Sequence, residues 1–193
     1  LTVTDSDGDQ SSNSVNIGNL IAFLDDGPSV DVKVVHDAHL IHDETPGIDA
    51  ADDDVAGTTA FAGSTLAAVF SAVDTPRGDD PHVTDNPIGY ALTNGTVFSL
   101  TTQNYGADGA AAVKPIQYEL VLSSNNVHSG LQTTDGRDIH LFKEGNLIVG
   151  RYEVGGNNIP DGSSDEVAAF AISIDPATGQ LAMVQYVSLH HPN

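Results

Sequence analysis

Five Asp-Gly pairs, Asp7-Gly8, Asp26-Gly27, Asp108-Gly109, Asp135-Gly136 and Asp161-Gly162, mark places where the chain could hold a hard cation. Asp brings a short carboxylate close to the backbone, and Gly lets that backbone turn its carbonyls toward an ion. Together they supply the oxygen ligands that calcium takes. Asp5-Ser6-Asp7-Gly8-Asp9 begins like an EF-hand loop and then departs from it, because Gln10 holds the glycine position and Asn16 the bidentate glutamate position. With Asp25 and Asp26 these residues are expected to form a calcium site at a junction between two units; the alternative is a set of solvated turn carboxylates. A second cluster is denser. Asp43, Glu44, Asp49, Asp52, Asp53 and Asp54 put six carboxylates within twelve positions, a repulsive arrangement unless cations bind or water screens every charge. Asp161-Gly162-Ser163-Ser164-Asp165-Glu166, between two strands, is a third candidate or a long hairpin loop.

Two further loops collect groups that could meet a ligand. Leu131–Asp138 gathers hydroxyls, carboxylates and Arg137, one of only six basic residues. Arg137 or Arg151 could fork onto a carboxylate, and an internal partner is the commoner case. Tyr105-Gly106-Ala107-Asp108-Gly109 is either a ligand loop or a tight turn. His36, His39 and His42 recur every third residue; on a strand that spacing alternates faces, a poor zinc geometry, so they read as surface or packing histidines. No Gly-x-Ser-x-Gly elbow and no phosphate-cradling loop occurs, and carboxylates are abundant without a pairing signal. The expectation is a protein that binds rather than catalyses.

The whole chain carries 27 acidic and 6 basic residues in 193, a formal charge of −21. Such a charge repels nucleic acid and anionic membrane surfaces. With no Cys there is no disulfide framework, thiolate zinc site or Cys nucleophile. No apolar run approaches the roughly 20 residues of a membrane span. The chain opens on Leu1-Thr2-Val3-Thr4 without a basic-then-apolar leader, as a segment of something longer would. Apolar residues make up 39% and are spread throughout, which argues for a folded core over an acidic disordered tail.

The elements that must position these residues are mostly strands. Ser14–Leu24, Ser29–Val35, Ile88–Thr93, Thr96–Thr101, Ile116–Leu122, Ile139–Phe142, Leu147–Val154, Val167–Ile174 and Gln180–Leu189 are β-branched, aromatic or alternating. Thr93-Asn94-Gly95, Lys143–Asn146 and Asp175–Gly179 are expected turns, the last two hairpin loops. One helix is expected, capped by Ser64, with Leu66, Val69, Phe70 and Val73 on one face and Pro76 ending it. The pattern predicts a mainly β protein: an antiparallel β-sandwich with one short helix and long calcium-binding loops. Residues 1–27 read as the terminal strand and junction of a preceding unit, and 28–193 as a calcium-dependent ligand-binding domain.

Thr4-Asp5-Ser6-Asp7-Gly8-Asp9 with Asp25-Asp26-Gly27-Pro28 resembles the strand-and-junction ending of repeats in giant RTX adhesins of Gram-negative bacteria. The remainder is similar to a domain of the same adhesins through His42–Gly47, Asp53–Gly57, Tyr105–Gly109, Ser129-Gly130-Leu131, Thr134-Asp135-Gly136, Leu147–Arg151 and Phe170–Asp175 with Gln185-Tyr186. Within that group it looks most similar to the calcium-dependent peptide-binding module. The resemblance implies type I secretion, an extracellular or cell-surface place, a role in cell adhesion and biofilm, and several bound Ca2+ ions. It also implies capture of a peptide or protein C-terminus on a target cell, with neighbouring adhesin domains as the other partners.

On this reading the expected metal ligands are Asp5, Asp7, Asp9, Asp25, Asp26, Asp43, Glu44, Asp52, Asp53, Asp54, Asp108, Asp135, Asp161 and Asp165. Tyr105, Gly106, Asp108, Thr134, Asp135, Gly136, Arg137 and Asp138 are expected to meet the ligand. An incompletely coordinated calcium is what would let so acidic a surface hold a carboxylate. A monomer without nucleic-acid or membrane partners is expected. The alternatives are a calcium-rigidified extender and a carbohydrate-binding module, the latter disfavoured by the absence of Trp.

Overall fold

The computed structural model describes residues 2–14, 26–45, 47–49, 51–83, 86–156, 159–161 and 165–190. The expected Ser14–Leu24 strand, together with Asp25, falls almost wholly outside them.

Alternating apolar residues build one seven-stranded antiparallel sheet. Its strands are β4 (Asp54–Val55), β7 (Gly89–Leu92), β9 (Val127–Gln132), β10 (Asp138–Glu144), β11 (Leu147–Glu153), β12 (Glu166–Ile174) and β13 (Leu181–Gln185), in the spatial order β4-β7-β13-β12-β11-β10-β9. Register sets the faces: Val149 lies opposite Ala171, and Ala171 opposite Val184, so these three share one side. That side packs against Phe61, Leu66, Phe70 and Val73 to form the main core. On the other face Ile139, Ala169, Phe170 and Val187 form a smaller cluster. Three two-stranded ribbons complete the fold. They are β1 (Thr2–Thr4) with β2 (Gln10–Ser12), β3 (Ser29–Val34) with β8 (Phe98–Asn104), and β5 (Ala60–Phe61) with β6 (Ser64–Thr65). The molecule is thus a mainly antiparallel β protein with one short helix, consistent with a β-sandwich, as the sequence predicts.

Helix α1 (Leu66–Phe70) is capped by Thr65, one residue beyond the expected Ser64, whose hydroxyl oxygen accepts from the Ala68 amide at 3.3 Å. It stops well before Pro76, where the backbone tightens to i→i−3 bonds, Ala72 N to Val69 O at 3.3 Å and Val73 N to Phe70 O at 3.1 Å. Ser71 Oγ donates to Ala68 O at 2.7 Å, and Arg77 Nη2 donates to Ser71 O and Val73 O at 2.7 and 2.6 Å. The apolar face still holds, with Leu66, Phe70 and Val73 all buried.

Ile116–Leu122 is not a strand. Its odd-even burial is the expected one, since Ile116, Tyr118, Leu120 and Leu122 are half-buried and the residues between them exposed. It lies over the sheet instead of joining its edge, tied by Tyr118 N to Pro176 O at 3.0 Å and by Lys143 Nζ to Leu120 O at 2.6 Å.

Candidate functional site

The loop before β4 carries the densest charge, and its carboxylates divide into two sets. Asp43, Asp49 and Asp52 each present an oxygen within 4.8 Å of the other two. The remaining three turn to partners in the protein. Asp53 Oδ2 accepts from the Ile41 amide at 2.9 Å and faces His39 Nδ1 at 3.1 Å. Asp54 Oδ1 meets His42 Nδ1 at 2.6 Å and accepts from the Asp43 amide at 3.3 Å. Glu44 Oε1 accepts from the Leu189 amide at 2.8 Å and from Gln185 Nε2, tying the loop to the end of the chain.

The electrostatics of the three gathered carboxylates are uneven. Asp43 is held below the usual carboxylate range by hydrogen bonding to the Thr45 side chain and to the Thr45 amide, the latter at 2.6 Å. Asp52 is pushed up, first by burial and then by the negative charges of Asp49, Asp43, Asp54 and Asp53. A cation among these oxygens would reverse that repulsion. Joined to Asp43 through its backbone amide is the His42–Asp54 pair, both side chains only 2% exposed. His42 Nε2 and Asp54 Oδ2 are buried with no hydrogen-bond partner. A polar oxygen left unpaired in such a place costs stability unless something meets it. Gly89 makes room for His42, since a Cβ there would lie 2.3 Å from its Cε1.

The Asp5–Asp9 run forms the turn of the β1–β2 hairpin. Asp5, Asp7 and Asp9 also bring their oxygens within 4.8 Å, all exposed. Asp5 Oδ1 accepts from the Asp9 amide at 2.9 Å and the Asp7 amide at 3.3 Å, and hydrogen bonding to the Asp7 side chain leads the causes that hold its carboxyl low. Asp25, expected to join this site, lies outside the described residues. Asp26 is elsewhere: its carbonyl packs so closely on Gly106 that a Cβ there would meet it at 1.9 Å. Tyr105–Gly109 is therefore a turn against Asp26-Gly27 at the end of β8, with Gly106 at φ +75° and Asp108 exposed.

Thr133–Asp138 links β9 to β10 and satisfies itself internally. Thr133 Oγ1 donates to Asp135 Oδ1, Arg137 Nε donates to Asp135 Oδ2 at 2.7 Å, and Arg137 Nη1 donates to Glu153 O at 2.6 Å. The Thr133 hydrogen bond, with Arg137 assisting, holds Asp135 low. Asp138 Oδ1 accepts from Gln132 Nε2 at 2.8 Å. Beside the loop, Asp80, His82, Thr134, Asp135, Tyr152 and Ser188 line a groove of about 260 Å³. Neither Tyr105–Gly109 nor the Asp43–Asp54 loop lines that groove, although Glu44 of the acidic loop and Thr133-Thr134 both bond to the Ser188-Leu189 segment. Asp161 and Asp165 are exposed at the β11–β12 connection, where the Asp165 carbonyl accepts from the Val154 amide.

Residues 39–193 match the family model described as a domain of unknown function (DUF5801). The chain belongs to that family. No curated protein and no solved structure matches it. The DUF5801 domain holds the Asp43–Asp49–Asp52 cluster, the His42–Asp54 pair, helix α1 and the whole seven-stranded sheet. Strand β3 precedes the matched residues yet pairs with β8 inside the DUF5801 domain. The buried His42–Asp54 pair and the Asp80 groove were missed from sequence. The available signals were a histidine beside an acidic run and Gly78-Asp79-Asp80-Pro81-His82, another compact set of carboxylates with a histidine.

Proposed function

We propose that this chain is a calcium-binding, peptide-capturing module of a bacterial surface adhesin, exported by type I secretion. The observation that carries the reading is the convergence of Asp43, Asp49 and Asp52 in a loop that also ends in a buried, unpartnered Asp54 oxygen. Three short carboxylates at that spacing, one of them raised by burial and by its acidic neighbours, are the ligand chemistry of calcium. The −21 charge supports the same reading, since bound divalent ions relieve the self-repulsion of the folded state. Peptide capture rests on the resemblance to RTX adhesin modules and on the need for an exposed cation if so acidic a surface is to hold a free carboxylate. The module binds and does not catalyse.

The test is capture from a pool of short peptides with free C-termini, in millimolar calcium and again in chelator, beside a matched amidated pool. Enrichment that needs both calcium and the free carboxylate supports the reading. Equal recovery of amidated peptides sinks it.

A second reading is an extender whose calcium stiffens the junction with a preceding unit. It is favoured by the Asp5–Asp7–Asp9 cluster, which lies in a hairpin ahead of the family domain. An isolated chain that binds calcium and captures no peptide or glycan would select it.

A further inference from the structure

Strand β3 pairs with β8 along one edge, from Ser29 opposite Asn104 to Val34 opposite Phe98. Among the described residues nothing pairs with its other edge. All six of its residues are exposed, and Val30, Val32 and Val34 remain 65%, 55% and 67% accessible. These valines share one face of the ribbon, and the first two line an apolar groove of about 350 Å³ with Phe98, Leu100, Ile116 and Tyr118. Natural proteins often blunt such an edge with charged side chains, a proline or a bulge. The β3–β8 ladder has one register shift, between Asp31 and Val32, whose extra residue, Thr101, is on β8 and not on β3. Here the edge carries one charge of each sign, Asp31 and Lys33, two positions apart on the opposite face. Neither side chain is engaged with another described residue.

We propose that β3 is a self-complementary edge along which two copies of this chain pair about a two-fold axis. In an antiparallel pairing centred on Val32, Asp31 falls opposite Lys33 of the second copy, and Lys33 opposite its Asp31. Val30 falls opposite Val34 on the other face, and Val32 meets its own copy. Centring one residue either way sets Asp31 against Asp31 or Lys33 against Lys33. A parallel in-register pairing sets both like pairs side by side, and like charges directly opposite one another are unfavourable. Centring between residues puts valines opposite polar residues and is disfavoured by the pleat. One register therefore satisfies both the charges and the apolar face, and its symmetry makes the contact isologous and closed. The two β3–β8 ribbons become one four-stranded sheet, and the valine faces and grooves run together across the axis. A contact of one short strand per copy lies toward the small end of specific interfaces, so the dimer forms at raised concentration.

The experiment is sedimentation equilibrium of the full chain over a concentration series, in calcium-containing buffer at an ionic strength that shortens charge repulsion to about 8 Å. Wild type is compared with Asp31→Lys, Lys33→Asp and the double exchange Asp31→Lys/Lys33→Asp, each checked for native circular dichroism. Wild type is expected to dimerise. Each single reversal sets two like pairs across the axis and weakens the dimer by about tenfold or more. The double exchange restores association, and an equimolar mixture of the two single variants forms a heterodimer. A wild type that stays monomeric at every concentration overturns the proposal. So does a dimer indifferent to the single reversals, or single variants that the double exchange fails to rescue.

Discussion

At the scale of single residues, the histidines and aspartates divide the labour. His36, His39 and His42 each direct Nδ1 at a carboxylate, those of Asp37, Asp53 and Asp54. In a chain with so few lysines and arginines, imidazoles are the available partners. Their spacing of three argues against one shared metal, while the pairing itself depends on a fold that returns residues 53 and 54 to the loop at 39–42. The carboxylates outside such pairs behave differently. Asp52 has its folded value above the ordinary one, so ionising it opposes folding. Its protonated form contributes stability that disappears as pH rises through the raised value. Asp52→Asn is therefore expected to leave the melting temperature in chelator unchanged or higher while reducing the increment that calcium gives. A variant that melts lower in chelator yet keeps the full increment would contradict this assignment. Asp80 carries the opposite sign. Burial pushes it up, but the His82 and Ser188 amides, at 2.9 and 3.0 Å, outweigh that and hold it low. The stability it contributes is present above the ordinary carboxylate value and is lost as pH falls through the folded value. Asp80→Asn should flatten the acid limb of a denaturation-against-pH profile, and an unchanged limb would contradict that role.

At the scale of elements, strands rich in β-branched or apolar residues were legible even where they bury little, as exposed β3 shows, and strands without that composition were not. β7, β10, β11, β12 and β13 match apolar segments of the sequence because each contributes to a core cluster, β11 and β12 being buried on both faces. β9 (Val-His-Ser-Gly-Leu-Gln) was invisible because it is an edge strand with little to bury. Ile116–Leu122 shows the converse, since period-two burial does not require a ladder. The binding segments were harder still. Chain proximity grouped six acids at 43–54. The fold brings oxygens of Asp43, Asp49 and Asp52 together, while Asp53, Asp54 and Glu44 also hold hydrogen bonds within the protein, which side-chain direction decides and spacing does not show. Two internal devices hold the elements together and can be tested. Arg151 Nε donates to Glu144 Oε1 at 2.5 Å, while its Nη2 donates to Glu144 Oε2 at 3.1 Å and to Asp74 O at 2.8 Å, fixing the segment after α1 to the sheet. Arg151→Ala leaves Glu144, only 16% exposed, without its counter-charge and should cost about 3–5 kcal/mol in urea denaturation. A loss under 1 kcal/mol would place the fork among weak surface pairs. Gly89→Ala drives a methyl into His42 and should cost about 1–3 kcal/mol. His42→Ala in the same background should recover part of that loss, because it removes the ring the methyl strikes. Two variants whose effects simply add would show that no such contact exists.

At the scale of the whole molecule, the charge pattern and the sheet make opposite contributions. The sheet buries its apolar faces on helix α1, the β5–β6 ribbon and Ile116–Leu122, and no described helix is long and apolar enough to cross a membrane. Around that core lies a carboxylate-rich surface that folding concentrates. Extracellular calcium modules bind in the ~0.1–1 mM range, so on the proposed reading export from a calcium-poor cytosol would couple folding to arrival outside the cell. A ligand held at a hundred times its Kd adds about 2.7 kcal/mol. In a chain of this size that corresponds to roughly 5–10 °C of melting temperature. Calorimetric scans in excess calcium and in chelator should differ by at least that amount, and coincident scans would remove calcium from the folding of this domain.

The measurement that bears most directly on the function is isothermal titration of calcium into metal-free protein, wild type beside Asp43→Asn/Asp52→Asn. We expect saturable binding in wild type, and in the double variant the loss of one site or a fall in its affinity of about tenfold or more, with the native fold intact. Superimposable isotherms would show that the convergence of Asp43, Asp49 and Asp52 holds no calcium, and the proposed binding module would lose the observation on which it stands.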